Sequence, residues 1–364
     1  MRLLPASARG AWQAACVLAG VSTALVLAAA ATGAAPLQVA TPYRLSPHVA
    51  PGQDFMGIRL LGSVQLAPQS MDGLVLGGLS GLAWDEDEAR LYALSDRGTL
   101  FHLRPHFEEG FLHRVELIAA FALRDQRGRP LAGAHADAEA MVVRHADNGI
   151  SGDSQLAVCF ERYPRIVLFN SEGRYLERLQ LPGALRDVRH YASPNKALEA
   201  LTWIPGAGFL TAPERPLVGA EHGIVDIFTL TGASWRYPLL ETPEASLVDM
   251  QALPDASLVT LERGHGLMYL PMVIGLRRTR IATAAPGARL AVTTLAVLDS
   301  SRGWSVDNFE GLTRHHGRNF FMVSDDNFNP LQKTLLVYFA AMDTDDPGDA
   351  GNIPEYELHQ QKPD

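Results

Sequence analysis

One pattern recurs five times along this chain. A polar or acidic residue opens a short apolar run, a turn follows, and a second apolar run closes on an acid. The five copies are "LSGLAWDEDEARLYALSD" (79–96), "AEAMVVRHADNGISGDSQLAVCFE" (138–161), "LEALTWIPGAGFLTAPE" (198–214), "DMQALPDASLVTLE" (249–262) and "NFEGLTRHHGRNFFMVSDD" (308–326). Aligned, they place Ser80, Glu139, Glu199, Gln251 and Glu310 in one column at steps of 59, 60, 52 and 59 residues, and Asp96, Glu161, Glu214, Glu262 and Asp325 in a second. A period of this size marks a repeat architecture, in which a unit cannot bury its apolar faces alone and must stack on its neighbours.

Each unit supplies further short strands. Third-strand candidates are "TLFHL", "RIVLF", "GIVDIFTL", "GLMYL" and "TLLVYFA"; fourth-strand candidates in the first four units are "VELIAAFAL", "YLERLQL", "SWRYPL" and "AVTTLAVL". The fifth unit ends before a fourth strand, while "IRLLGSVQL" (58–66) stands unused ahead of the first. Four short strands per unit, separated by Gly, Pro, Asp and Asn turns, predict an all-β chain folded as a single β-propeller closed by that N-terminal strand. Five blades are countable, with six as the alternative. The expected organisation is a signal peptide at 1–35, a linker at 36–54, the propeller at 55–342 and a polar tail at 343–364.

In such a blade the innermost strand lines the channel and pairs with the second through a hairpin, so both acidic columns belong at one mouth. Eight carboxylates in ten positions need compensation, because like charges at short range raise one another's pKa. One remedy is a hard cation such as Ca²⁺, which takes carboxylate and amide oxygens; candidate ligands are Glu139, Glu199, Gln251, Glu310, Asp325 and Asp326. The other is arginine. Arg97, Arg162, Arg215 and Arg263 each follow a second-column acid and are expected to reach the next blade or an anionic substrate. Only the fifth unit has an acid, Asp326, at that place.

Composition narrows the function. The 364 residues are 47% apolar and 20% charged with a formal charge of -9, which argues against a nucleic-acid or anionic-membrane surface. Arg2 and Arg9 precede an uncharged stretch from Ala11 to Tyr43 that contains "CVLAGVSTALVLAAAATGAA", the form of an export signal, with an uncleaved anchor as the alternative. A periplasmic or secreted monomer with no membrane domain beyond that segment is the expectation. Cleavage leaves Cys159 as the one cysteine, expected buried and inert within "LAVCF". "GGLSGL" at Ser80 lacks the strand-turn-helix setting of a nucleophile elbow. No His-Glu-x-x-His stands on a helix, and no glycine-rich phosphate cradle precedes one.

The stretches "GGLSGLAW", "YALSDRG", "DAEAM", "FERYPRI", "NKALEALTW", "APERPL", "LVTLERG", "DNFEGLT" and "MVSDDNFNPLQKT", in that order, resemble the phytase-like propeller family, described as having esterase-like activity of phytase. The resemblance implies an exported bacterial propeller and a Ca²⁺-dependent hydrolase of phosphate or carboxylate esters. Glu310, Glu199 and Asp325 are its candidate catalytic carboxylates. Ala140 and Ala200 depart from the glycine more usual after the repeated Glu. Set against the enzyme is a second class, a periplasmic binding or scaffolding propeller whose acids and arginines only fasten blades together; fold alone does not choose between them.

Overall fold

The computed structural model describes residues 35–264 and 271–342. The segments expected to be signal peptide and tail lie outside them, apart from Ala35. Five antiparallel sheets follow one another along the chain as five blades of a β-propeller. Innermost to outermost, blade 1 comprises Leu79–Asp85, Arg90–Ser95, Thr99–Glu108 and Phe111–Ala122; blade 2 comprises Ala138–Arg144, Gln155–Phe160, Arg165–Asn170 and Tyr175–Leu179. Blade 3 comprises Leu198–Ile204, Gly208–Pro213, Ile224–Thr229 and Ser234–Pro238. Blade 4 comprises Ser246–Ala252, Ser257–Gly264, Val273–Arg280 and Val292–Asp299.

Blade 5 closes the ring as the strand count requires. Asn308–Arg314, Asn319–Asp325 and Thr334–Ala341 are completed by the N-terminal Ile58–Leu66, with Thr334 opposite Leu66 and Ala341 opposite Ile58. Upstream, Ala40–Pro42 pairs with that closing strand and Leu37–Gln38 with the outer strand of blade 1. One strand differs from expectation. The third strand of blade 4 is Val273–Arg280, where "GLMYL" was expected; the latter falls outside the described residues. Val273–Arg280 qualifies because its alternate Ile274 and Leu276 are fully buried in the core shared with blade 5.

The apolar interior is divided among the blade interfaces. Five clusters form among the described residues, each drawing side chains from two adjacent blades: Phe160 and Phe169 of blade 2 pack with Tyr92 and Leu94 of blade 1, and Val248 and Leu276 of blade 4 with Phe309 and Phe339 of blade 5. This is why the repeat cannot stop at one unit. Cys159 lies in the core between blades 2 and 3, with no solvent exposure, and its Sγ accepts from the Ala140 amide at 3.3 Å. Burial pushes its thiol pKa well up. A thiol reagent is therefore expected to label Cys159 only after unfolding, and labelling at the rate of a free thiol in the native protein would contradict the structure.

Candidate functional site at the channel mouth

Every inner strand carries a bulge at its second or third residue. The pairing skips one residue after Leu79, Leu198, Leu247 and Phe309, and in blade 2 sets Glu139 and Ala140 against the single Cys159, which makes Ser80, Glu139, Glu199, Val248 and Glu310 equivalent as the first residue past the shift. A bulge re-aims the extra side chain out of the regular alternation, and here Glu139, Glu199 and Glu310 line the mouth while Val248 stays in the core between blades 4 and 5. The fourth member is thus Val248, and Gln251 is misplaced by three residues. Gln251 does not line the mouth; its Nε2 reaches the Ala252 carbonyl at 3.4 Å.

The second column shifts by one residue in the same blade. Ser95, Phe160, Pro213, Glu262 and Ser324 pair with the residues just before the bulge, so Asp96, Glu161, Glu214, Arg263 and Asp325 form the column. Because side chains alternate along a strand, this slip sends Glu262 to the opposite face. There it accepts from Tyr237 Oη at 2.5 Å, the Leu240 amide at 2.6 Å and Arg277 Nη1 at 3.0 Å. Blade 4 therefore contributes a cation where the other four contribute an acid.

The mouth is a cavity of about 380 Å³ whose walls carry eight acids and three bases. The acids are Asp96, Asp137, Glu139, Glu161, Glu199, Glu214, Glu310 and Asp325; the bases are Arg162, Lys196 and Arg263. Arg263, 5% exposed, bridges blades: Nη2 reaches Glu214 at 3.1 Å, while Nη1 reaches Asn308 Oδ1 at 2.5 Å and also binds Glu310. Lys196 adds a contact of 2.8 Å to Glu214. Arg162 takes Asp137 at 2.7 Å.

The remaining predicted residues are spent elsewhere. Arg97 stacks on the Phe328 ring, Arg215 pairs with Glu244 at 2.9 Å, and neither lines the mouth. Asp326 accepts from the Gly78 and Phe328 amides, tying blade 5 to the chain entering blade 1. Ser80 donates to the Ala138 carbonyl at 2.6 Å. The histidine pair lies at the far end of blade 5, where burial takes His315 down to about 3 beside Tyr338.

The two mouth acids with neither a hydrogen bond nor an ion pair among the described residues lie on blades 2 and 3. Glu199 is 6% exposed, and among the described residues its carboxylate has neither a hydrogen bond nor an ion pair. Glu139 likewise has none. Burial, and then the charge of Glu161 on Glu139 and of Glu139 on Glu199, pushes both well above the usual carboxylate range. Glu161, raised to about 8 by burial and then by Asp137 and Glu214, has only a long 3.4 Å contact from the Ala197 amide. Two trios have ligand oxygens within 4.8 Å of one another: Asp137, Glu139 and Glu161, and Glu161, Glu199 and Glu214. Glu161 belongs to both. Glu310, expected to share an ion with Glu199, belongs to neither, because Arg263 holds it.

Asp137 and Lys196 escaped the sequence reading. Asp137 stands two residues before Glu139, as Asn308 does before Glu310, and all four line the mouth. "DAEAM" and "DNFEGLT" therefore each advertised a second mouth residue.

The titration pattern gives a signed prediction. Asp96 is raised to about 6 by burial, and Asp325 to about 8 by burial and then Glu310. With Glu161, these folded-state values lie above the unfolded ones. The native state holds more protons, and the stability they contribute is complete below about pH 4 and lost as pH rises through about 6 to 8. Glu214 runs the other way: burial raises it, but Arg263 and Lys196 more than reverse that, so its contribution is lost on acidification. Three groups outweigh one, so in chelator the melting temperature is expected to fall between pH 5 and pH 8; a rise across that window would contradict the buried acid ring.

A family model described as phytase-like, esterase-like activity of phytase, matches residues 75–328. The chain belongs to the phytase-like family. Family and fold together support a hydrolase-like function for this propeller. No curated protein matches the sequence. Solved structures similar to it include the PQQ-bound aldose sugar dehydrogenase of Streptomyces coelicolor, 12% identical, with 80% of this chain and 99% of that one covered and a TM-score of 0.41. The Cps50 (Swd1) propeller domain of Myceliophteria thermophila is 11% identical, with 83% and 99% covered and a TM-score of 0.36. The Dos1 propeller is 9% identical, with 77% and 72% covered and a TM-score of 0.34. Among the described residues no helix is long and apolar enough to cross a membrane.

Proposed function

We propose that this phytase-like propeller is an exported, Ca²⁺-dependent hydrolase of phosphate or carboxylate esters acting at the acidic mouth. The observation that carries the reading is Glu199, a carboxylate buried in the cavity wall without a partner, beside an equally unpartnered Glu139. A buried charge is retained only when paired or ligated, and a chain with arginines to spare for four other mouth or rim acids leaves these two bare. An all-oxygen, carboxylate-rich donor set suits a hard cation. Glu161, Glu199 and Glu214, whose oxygens lie within 4.8 Å of one another, would hold it, with Glu139 and Asp137 beside them. Bound there, calcium would supply charge stabilisation at the ester oxygen.

The chain's own groups have separate tasks. Asp325, buried on blade 5 and titrating near neutral pH, is the group placed to exchange a proton with water or a leaving oxygen. Arg162, 46% exposed at its side chain, and Lys196, 38% exposed, are accessible cations on the wall and draw an anionic ester toward it. Glu310 has one oxygen already engaged by Arg263 and Asn308. Export rests on the charge-free stretch after Arg9.

Arg263 also favours a second reading. Its triple contact is what a purely structural blade fastener would make, and a binding or scaffolding propeller needs nothing more. Thermal melting in EDTA and in Ca²⁺, followed by a panel of phosphate and carboxylate esters, separates the two. The enzyme reading expects a higher melting temperature in Ca²⁺ and turnover of one ester class that EDTA abolishes. Identical melts and no turnover would leave the scaffold.

A further inference from the structure

A second cavity, of about 230 Å³, opens on the outer part of blades 1 and 2, and its charge is the reverse of the mouth's. Its walls carry Arg124, Arg127, Arg165 and Arg178, with Val167 and Tyr175 among the groups between them. The chain as a whole carries a net charge of -9, so four guanidinium groups around one small cleft run against its composition. One acid is present, Asp125, and it is already engaged. It accepts from the Arg129 guanidinium at 2.9 and 2.7 Å and from the Arg127 and Arg129 amides at 2.8 and 2.9 Å. Glu177, next to Arg178, faces the other side of its strand, since Arg178 lies opposite Val167 and Glu177 opposite Leu168.

The arginines are held differently. Arg165 is fixed: Nη1 donates to the Tyr163 carbonyl at 3.0 Å, Nη2 to the His135 carbonyl, and the guanidinium lies 3.7 Å from the Phe160 ring centre. Burial, and then the charge of Arg178, lowers its pKa to about 10, with Asp137 a weaker opposing influence. Arg124 donates to the Gly128 carbonyl at 2.9 Å. Arg127 and Arg178 have exposed side chains with no acid against them among the described residues. Between them the floor is apolar: Val167 is 5% exposed, and the half-buried Tyr175 ring is held by Gln126 Nε2 at 2.9 Å on its hydroxyl.

We propose that this cleft is an anion-binding site, separate from the mouth, for a small molecule bearing a phosphate or carboxylate on a flat apolar body. The apolar body rests on Val167 and Tyr175, and the anionic head meets Arg127 and Arg178 above the fixed charge of Arg165. Exposed arginines with no acid partner among the described residues, flanking a pinned one, suit bidentate recognition of an oxyanion.

The test is isothermal titration of the full chain with phenylphosphonate, which carries the head and body but no ester bond, at low salt in EDTA. Wild-type protein is expected to bind it, more tightly than inorganic phosphate, and more weakly as salt rises. Arg127→Glu and Arg178→Glu are each expected to reduce affinity tenfold or more, the size of one lost charged hydrogen bond. Both positions are exposed, and unchanged melting temperatures would show that the fold survives. Glu199→Gln at the mouth is expected to leave the affinity unchanged. No binding by wild type at millimolar ligand, or equal binding by both arginine variants, would overturn the site without touching the metal-hydrolase reading.

Discussion

Replacing Arg263 by methionine is expected to cost this propeller about 3–5 kcal/mol, the usual penalty for removing one partner of a buried ion pair. The side chain is 5% exposed and serves two carboxylates at once, Glu214 on blade 3 and Glu310 on blade 5. Burial works against its charge, but Glu310, Glu214 and Glu199 together hold it more firmly protonated than a free arginine. Methionine fills the same volume without charge, so the loss reports uncompensated carboxylates and not a cavity. Lys196 stays on Glu214 and softens the effect there; Glu310 keeps only Asn308 Nδ2 at 2.8 Å. A drop in melting temperature on the order of 10 °C at pH 7.5 is the measurement. Adding Glu310→Gln to Arg263→Met should recover part of it, since it removes the acid left without a counter-charge. A loss below about 1 kcal/mol, with no recovery in the double variant, would mean that Arg263 is not the keystone of the ring.

The same residue marks where sequence reading succeeded and where it slipped. Blade number, strand order and closure by Ile58–Leu66 were legible because each strand is a short apolar run bounded by turn residues, and because a ring with one strand missing at its end must take it from its start. Blade 4 misled because "LERG" imitates "SDRG" and "FERY", inviting alignment by the acid-arginine pair. Spacing held the correction. The two columns are 15 residues apart in Glu199 to Glu214 and in Glu310 to Asp325, and 16 in Ser80 to Asp96, against 11 for Gln251 to Glu262. Val248 to Arg263 restores 15. A one-residue slip exchanges the faces of a strand, so this error moved a cation out of the mouth and an acid into it.

Packing adds what no spacing holds. Gly81 and Gly311 follow their column residues, and a Cβ at Gly81 would lie 3.0 Å from the Met141 amide, one at Gly311 2.9 Å from Val323 Cγ1. Inner strands approach too closely there for larger side chains. In blade 4 the equivalent residue is Asp249, whose carboxylate spans the gap to the Leu312 amide of blade 5 at 2.7 Å. Blade 4 thus carries Val248, Asp249 and Arg263 where the others carry polar or acidic, small and acidic residues. Glu139 and Glu199, on blades 2 and 3, are the mouth carboxylates left with neither a hydrogen bond nor an ion pair among the described residues.

That concentration fixes the variant that decides between metal and scaffold. Glu199→Gln keeps the shape of a 6%-exposed side chain and removes a carboxylate that no hydrogen bond or ion pair holds among the described residues. In EDTA at pH 7.5 the variant should melt at or above the wild-type temperature, because burial and the charges of Glu139, Glu214 and Glu161 all disfavour the ionised acid. In saturating Ca²⁺ the order should reverse. Ligand binding stabilises the folded state by about 2.7 kcal/mol at a hundredfold excess over the dissociation constant, and a variant that has lost a ligand oxygen forfeits much of that. Glu310→Gln is the control: Arg263 already holds that carboxylate, so its loss should lower stability in both conditions and leave the calcium increment nearly intact. Should Glu199→Gln show the full wild-type increment in Ca²⁺, or wild type show none, the trio of Glu161, Glu199 and Glu214 does not hold an ion, and the acid ring reverts to a fastening between blades.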